Sequence, residues 1–183
     1  MPVLEAYDYI KDKISAMKRD YPALRDKSDE YVFTALCVRA SYYKNPAIDF
    51  NEYTISEFIV DGQYDGGVDV LLLDPNSEEG NLVLVQSKFY RDITFDNVRD
   101  AITKIILFYK DMERGDYQNV NEHVQRRFLS LNAEVGDESK IKFVFYTSAK
   151  KNRISTDRIE KIVKEQFQGN DRLKWLFIMQ MIL

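Results

Sequence analysis

Residues 61–89, DGQYDGGVDVLLLDPNSEEGNLVLVQSKF, decide the fold. Val68 to Leu73 and Leu82 to Phe89 are apolar runs of strand length, rich in Val and Leu. Between them DPNSEEGN has turn chemistry throughout, so the pair reads as a β-hairpin with a medium loop. Ahead of it the Asp- and Gly-rich DGQYDGG reads as a turn, and TISEFIV (54–60) as a β-rich run leading into it, which makes a β-meander.

Outward from the hairpin the spacing turns helical. Leu4, Tyr7, Ile10, Ile14 and Met17 predict a first helix that ends at Tyr21-Pro22. Ser28 offers an N-cap for a second, with Tyr31, Ala35, Val38 and Tyr42 on one face and Asn45-Pro46 closing it. Helices follow over about 95–112 and 120–131, then a buried strand at IKFVFYT (141–147). Ser155 or Thr156 caps a helix to about Phe167, and LKWLFIMQMIL reads as a last strand. The order predicts an α/β fold: a mixed sheet with a β-meander core, flanked by helices.

The 183 residues suit one domain, with 1–27 as a helical lead-in and the core from about 28 to 183. The chain stops within an apolar run at Leu183, which reads equally as a natural end or as one domain of a longer chain. Hydrophobic residues make up 45% of the chain and aromatics 13%, which excludes a disordered chain. A net charge of -4 excludes a polycation, so nucleic-acid binding has to use a local basic patch. Cys37 is the one cysteine and His123 the one histidine, so a disulfide and a cysteine-built zinc site are excluded. No apolar stretch is long enough to span a bilayer and no signal core opens the chain, so a cytoplasmic protein with no membrane partner is expected.

If Leu73 pairs with Leu82, Asp69 lies opposite Gln86, and residues of equal parity share a face. That face carries Leu71, Leu73, Leu82 and Leu84 below, and Asp69, Gln86 and Lys88 at its upper end, about 5 to 8 Å apart. Desolvating such groups costs several kcal/mol unless they are paired or hold an ion, so the bland reading is a structural Asp69–Lys88 ion pair. Phosphodiester hydrolysis asks for a hard cation on oxygen ligands and a fixed positive charge beside the phosphate. Gln86-Ser87-Lys88 offers a side-chain oxygen, a backbone carbonyl and an ammonium, and Asp69 the carboxylate across the hairpin. Gly66 and Gly67 allow a sharp turn and close approach of a substrate backbone.

DGQYDGGVD, then a hairpin, then LVLVQSKFY, resembles the PD-(D/E)xK nuclease superfamily, and within it the Mrr-like branch whose motif reads D…QxK. The likeness is strongest to the N-terminal nuclease-like domain of the abortive-infection phage-resistance (AIPR) family, which shares an early helix such as DEYVFTALCVRASYY (29–43). It covers about residues 28 to 110, and implies a restriction-endonuclease-like sheet. It also implies Asp69 as central metal carboxylate, Gln86 at the second ligand position, the Ser87 carbonyl in the metal shell, and Lys88 as catalytic lysine. Glu30 matches the family's helical acid; its bland reading is stabilisation of a helix first turn. A neutral Gln86 departs from the superfamily's usual Glu and removes a negative charge from the site.

Other residues carry weaker signals. Asp65 reads first as a turn residue and second as a compensating acid, and Glu57 as a rival acid on a strand's outward face. Lys150, Lys151 and Arg153 follow a strand end and are candidate phosphate contacts, as are Arg126 and Arg127. Tyr90 and Arg91 read equally as contacts that stack on or neutralise nucleic acid and as packing at the sheet edge. His123 reads as a helix-surface residue and Cys37 as core.

The expectation is an Mg²⁺-dependent endonuclease domain, with Mn²⁺ as a substitute, acting on nucleic acid, DNA ahead of RNA, in prokaryotic anti-phage defence. Double-strand cutting by one such site calls for a homodimer or a second nick. The alternative, motivated by Gln86 and the acidic charge, is a catalytically weak or inactive nuclease-fold module that binds nucleic acid or a partner protein.

Overall fold

A computed structural model describes residues 6–45, 50–149 and 155–179. Helix α1 (Ala6–Asp20) buries Ile10, Ile14 and Met17 on one stripe. A short 3₁₀ turn, Pro22–Leu24, leads to α2 (Asp29–Tyr42), which opens where Ser28 Oγ accepts the Tyr31 N–H. Every residue from Val32 to Val38 is buried, because α2 lies between α1 and the sheet.

The expected strand at 54–60 is not formed. Residues 54–58 belong instead to α3 (Glu52–Phe58). The Asn51 side chain accepts from Tyr53 N and Thr54 N, while Thr54 Oγ1 accepts from Asn51 N, so a capping box nucleates a helical turn in a β-rich string. Ile55 and Phe58, three apart, then face inward. Ile59 keeps a single antiparallel bridge to Val70, so the expected meander is reduced to its hairpin.

That hairpin is β1 (Val70–Leu73) and β2 (Leu82–Lys88), in the anticipated register, Leu73 against Leu82 through Val70 against Val85. Then come α4 (Phe95–Arg114), α5 (Glu122–Asn132), β3 (Ile141–Thr147), α6 (Thr156–Phe167) and β4 (Leu173–Met179). The sheet order is β1-β2-β3-β4, with β1 antiparallel to β2 and the last three strands parallel. The architecture is thus α/β with a mixed sheet flanked by helices.

Strand alternation sorts the core into two layers. Val70, Leu72, Val83, Val85 and Val144 pack with α1, α2 and α3. Leu71, Leu82, Leu84 and Phe143 pack with α4, α5 and α6. Parallel β2 and β3 end at the same edge, where Ser148 Oγ donates to the Tyr90 carbonyl. Loops at the carboxyl ends of such strands are the usual seat of sites in open α/β sheets. Among the described residues no helix is long and apolar enough to cross a membrane.

Candidate metal centre

Asp69 stands one residue ahead of β1, and there the ladder changes hands. Its N–H donates to Val85 O (2.8 Å) and its carbonyl accepts from Val60 N (2.9 Å). The Ser87 N–H goes to the Asp69 side chain instead of to a main-chain carbonyl, reaching Oδ2 at 2.6 Å, with Ser87 Oγ on the same oxygen at 3.0 Å. Ser87 Oγ also meets Thr34 Oγ1 of α2 at 2.6 Å, and Thr34 Oγ1 donates to the Glu30 carbonyl at 3.0 Å. Each hydroxyl has one proton. With Asp69 ionised, Ser87 donates to it, and Thr34, whose one proton lies between the Glu30 carbonyl and Ser87 Oγ, seats the serine hydroxyl.

The carboxyl thus faces the α2 side of the sheet. It lines a hollow of about 190 Å³ with Glu30, Thr34, Asp61, Ser87, Lys88, Phe89 and Tyr90. Carboxylate oxygens of Asp61, Asp65 and Asp69 lie within 4.8 Å of one another. Asp69 is 8% exposed, and its burial pushes its pKa up to about 7. The Ser87 N–H and the Lys88 charge pull the other way, and Asp61 adds to the rise. Asp61 is also held above the usual carboxylate range, by burial first and then by Asp65, with Glu30 adding and Lys88 opposing. Like charges this close are costly without a counter-ion.

The acids are positioned by the turn. Asp65 Oδ1 accepts the Gly67 N–H at 2.7 Å and Oδ2 the Gly62 N–H at 3.3 Å, so its turn role and its place in the cluster coexist. Gly66 and Gly67 have φ of +69° and +81°; a Cβ on Gly66 would collide with the Phe108 ring, and one on Gly67 would lie 3.0 Å from Lys104 Cβ. Asn121, the N-cap of α5, clamps the loop: its N–H reaches Tyr64 O (2.8 Å) and its Nδ2 reaches Gln63 O (2.9 Å). The clamp holds Tyr64 at φ 59°, a left-handed conformation unusual for an aromatic residue.

Asp69, Glu30, Ser87, Lys88 and Tyr90 therefore line one hollow, with Ser87 engaged through its N–H and hydroxyl rather than through the carbonyl expected in a metal shell. Gln86 does not join them. Its even-numbered position on β2 turns it to the α4 side, where it lines a separate hollow with Lys88, Tyr90, Asn97 and Lys104. The expected sharing of one face by Asp69 and Gln86 fails because Asp69 precedes the regular strand, and its carboxyl is captured by Ser87 rather than set by the pleat. The simple Asp69–Lys88 ion pair is likewise not made: among the described residues Lys88 has no carboxylate at ion-pair distance.

Asp61 and Thr34 were not singled out from the sequence. The available signals were a third acid in the same Asp/Gly turn, at a four-residue interval from Asp65, and a lone hydroxyl in the apolar run of α2. Glu57 is exposed on α3, away from the hollow, and His123 is exposed on α5. Cys37 is buried core. Arg91 is engaged by Asp8 at 3.2 Å and lies over the Tyr7 ring. Arg126 and Arg127 sit on α5 and line neither hollow. Lys150, Lys151, Arg153 and Pro46 lie outside the described residues.

The donor chemistry fits a small hard cation. Asp61, Asp65 and Asp69 offer oxygen ligands only, which suits Mg²⁺ or Mn²⁺ rather than a thiophilic metal. Glu30 lies at the mouth of the same hollow, and Lys88 contributes the one positive charge among its lining residues. Comparison of the chain with family models, with curated proteins and with solved structures found no match in any of the three.

Proposed function

We propose that this chain is a divalent-cation-dependent phosphodiester hydrolase acting on nucleic acid, DNA ahead of RNA, in a cytoplasmic setting. One observation carries the reading: the Asp61, Asp65 and Asp69 carboxylates converge within 4.8 Å, and Asp61 and the buried Asp69 line a hollow with Lys88. Asp69, Asp61 and Asp65 would hold the ion, with Glu30 beside them. Mg²⁺ or Mn²⁺ bound there supplies Lewis-acid polarisation of a phosphate and a water of lowered pKa.

The chain's own groups do the rest. Lys88 sets its ammonium where negative charge grows on the phosphate oxygens, a stabilisation that costs no reorganisation during reaction. Ser87 and Thr34 fix the Asp69 rotamer, so its free oxygen stays aimed. Asp61 or Glu30 takes up a proton from the attacking side. The resemblance to the phage-resistance family adds the expectation of a defence role.

A second reading, a nuclease-fold module that binds without cutting, is favoured by the placement of Gln86 away from the acids. Calorimetry with Mg²⁺ and Mn²⁺, followed by plasmid cleavage with each ion, separates the two. The hydrolase reading expects cation binding, and cleavage that Asp69→Asn and Lys88→Ala each abolish while the folded circular-dichroism spectrum persists. Silence toward both ions, or cleavage by both variants at the parent rate, overturns it.

A further inference from the structure

The turn that carries the acidic cluster repeats one dipeptide. Asp61-Gly62 and Asp65-Gly66 are the two Asp-Gly pairs in the chain, four residues apart. An aspartyl carboxyl followed by glycine is the pairing most open to attack by the next amide nitrogen. Glycine has no Cβ to hinder the approach and the widest backbone freedom. In a folded chain the attack also depends on how the carboxyl and the amide are held, and the two pairs are held differently.

Asp65-Gly66 is locked. Asp65 Oδ1 accepts the Gly67 N–H at 2.7 Å and Oδ2 the Gly62 N–H at 3.3 Å, so both oxygens are tied to the backbone. Gly66 sits at φ +69°, where a Cβ would collide with the Phe108 ring, and the loop is pinned by Asn121 through Gln63 O and Tyr64 O. Turning the Asp65 carboxyl onto the Gly66 nitrogen costs its hydrogen bonds, and Phe108 crowds any rotation of Gly66. Asp61-Gly62 has none of this. Both residues are exposed, and among the described residues no hydrogen bond reaches the Asp61 carboxyl. Gly62 lies outside the left-handed region, and a Cβ on it would meet open space. Its N–H makes the long, exposed bond of 3.3 Å to Asp65 and no other among the described residues.

We propose that Asp61-Gly62 is a site of spontaneous aspartate isomerisation in the folded chain, with Asp65-Gly66 held out of the reaction by its turn. The Gly62 nitrogen bonds to Asp61 Cγ, the Cγ–OH bond breaks, and the amide proton leaves with that hydroxyl as water. The five-membered succinimide then takes water back. Addition at the former side-chain carbonyl returns aspartate. Addition at the main-chain carbonyl gives isoaspartate, with the chain routed through the side-chain carbons. Water is the one co-reactant. The product keeps the parent's mass, but its backbone is one carbon longer and its carboxylate sits directly on Cα. The convergence of Asp61 with Asp65 and Asp69 is thereby undone. The reaction needs no bound ion and is independent of the hydrolase reading.

The test is incubation of the full chain, in chelator at mildly acidic pH, with isoaspartate located by peptide mapping and electron-transfer fragmentation. Isoaspartate is expected at Asp61 at least about tenfold faster than at Asp65, whose carboxyl must first give up a charge-assisted hydrogen bond. In urea, where the turn is gone, the two pairs should react at similar rates. Gly62→Ala, in open space and without a left-handed backbone, should keep the folded circular-dichroism spectrum and bring the rate at Asp61 down close to that at Asp65. Asp61→Asn should form the same succinimide faster, losing ammonia in place of water. Isoaspartate no faster at Asp61 than at Asp65 in the folded chain, or a preference for Asp61 that survives urea, overturns the proposal. So does a rate indifferent to Gly62→Ala, or an Asp61→Asn chain that keeps its amide.

Discussion

The two hollows that meet at Lys88 are built from one strand and carry opposite chemistry. On the α2 side, odd-numbered Ser87 turns toward Asp69, and carboxylates from the 61–69 turn crowd a buried acid. On the α4 side, even-numbered Gln86 faces Lys104 and the freed amide of Asn97. Alternation along three residues of β2 therefore parts a hollow lined by carboxylates from one lined by Lys104, Asn97 and Gln86, and Lys88 lines both. Under the proposed hydrolase reading, the acidic side would hold the ion and Lys88 would face the phosphate charge.

The contrast breaks most visibly in pH. Burial raises Asp69 well above the ordinary carboxyl value, so between about pH 4 and pH 7 the folded chain holds a proton that the unfolded chain has released. Metal-free stability should therefore fall as pH rises through that window and level off above it. The loss is on the order of 3–4 kcal/mol, read from urea midpoints. Asp69→Asn should flatten the slope, whereas Lys104→Ala, on the other side, should leave it intact. Mn²⁺ affinity should climb over the same window, because ion and proton compete for one carboxyl.

A sharper and smaller test addresses the brace. Ser87→Ala removes the hydroxyl on Asp69 Oδ2 but keeps the N–H. Stability should drop by about 1 kcal/mol and Mn²⁺ binding should weaken about tenfold. If the Ser87→Ala variant keeps the parent's Mn²⁺ affinity, the hydroxyl is not what aims the Asp69 carboxyl.

Smallest is the clamp. Asn121→Ala removes the α5 cap and frees the Gln63 carbonyl. A stability cost of about 1 kcal/mol is expected in thermal melts. A severalfold loss of Mn²⁺ affinity should accompany it, because Asp61 and Asp65 ride on the loop it holds. Asn121→Asp keeps the cap but not the Nδ2 donor, and should restore stability more than affinity.

Sequence alone determined the hairpin, its register and most helices, because apolar alternation, Pro and cap residues act within a few positions of themselves. It also grouped Asp69, Gln86 and Lys88 on one strand face and, through the family likeness, added Glu30 and the Ser87 carbonyl; Gln86 turns the other way, and Ser87 enters through its N–H and hydroxyl. It misjudged 54–60, where a β-rich string was outweighed by the Asn51–Thr54 capping box. Only the tertiary structure decided which way the Asp69 carboxyl turns. That depends on the hydroxyls of Ser87 and of Thr34, the latter 35 positions earlier, and on a loop end where the pleat no longer dictates direction. The same holds for Asp61, drawn in by the left-handed backbone at Gly66 and Gly67 and by the α5 clamp. Local periodicity specifies a strand's faces; contacts between distant segments specify where a side chain beyond the strand's end will point.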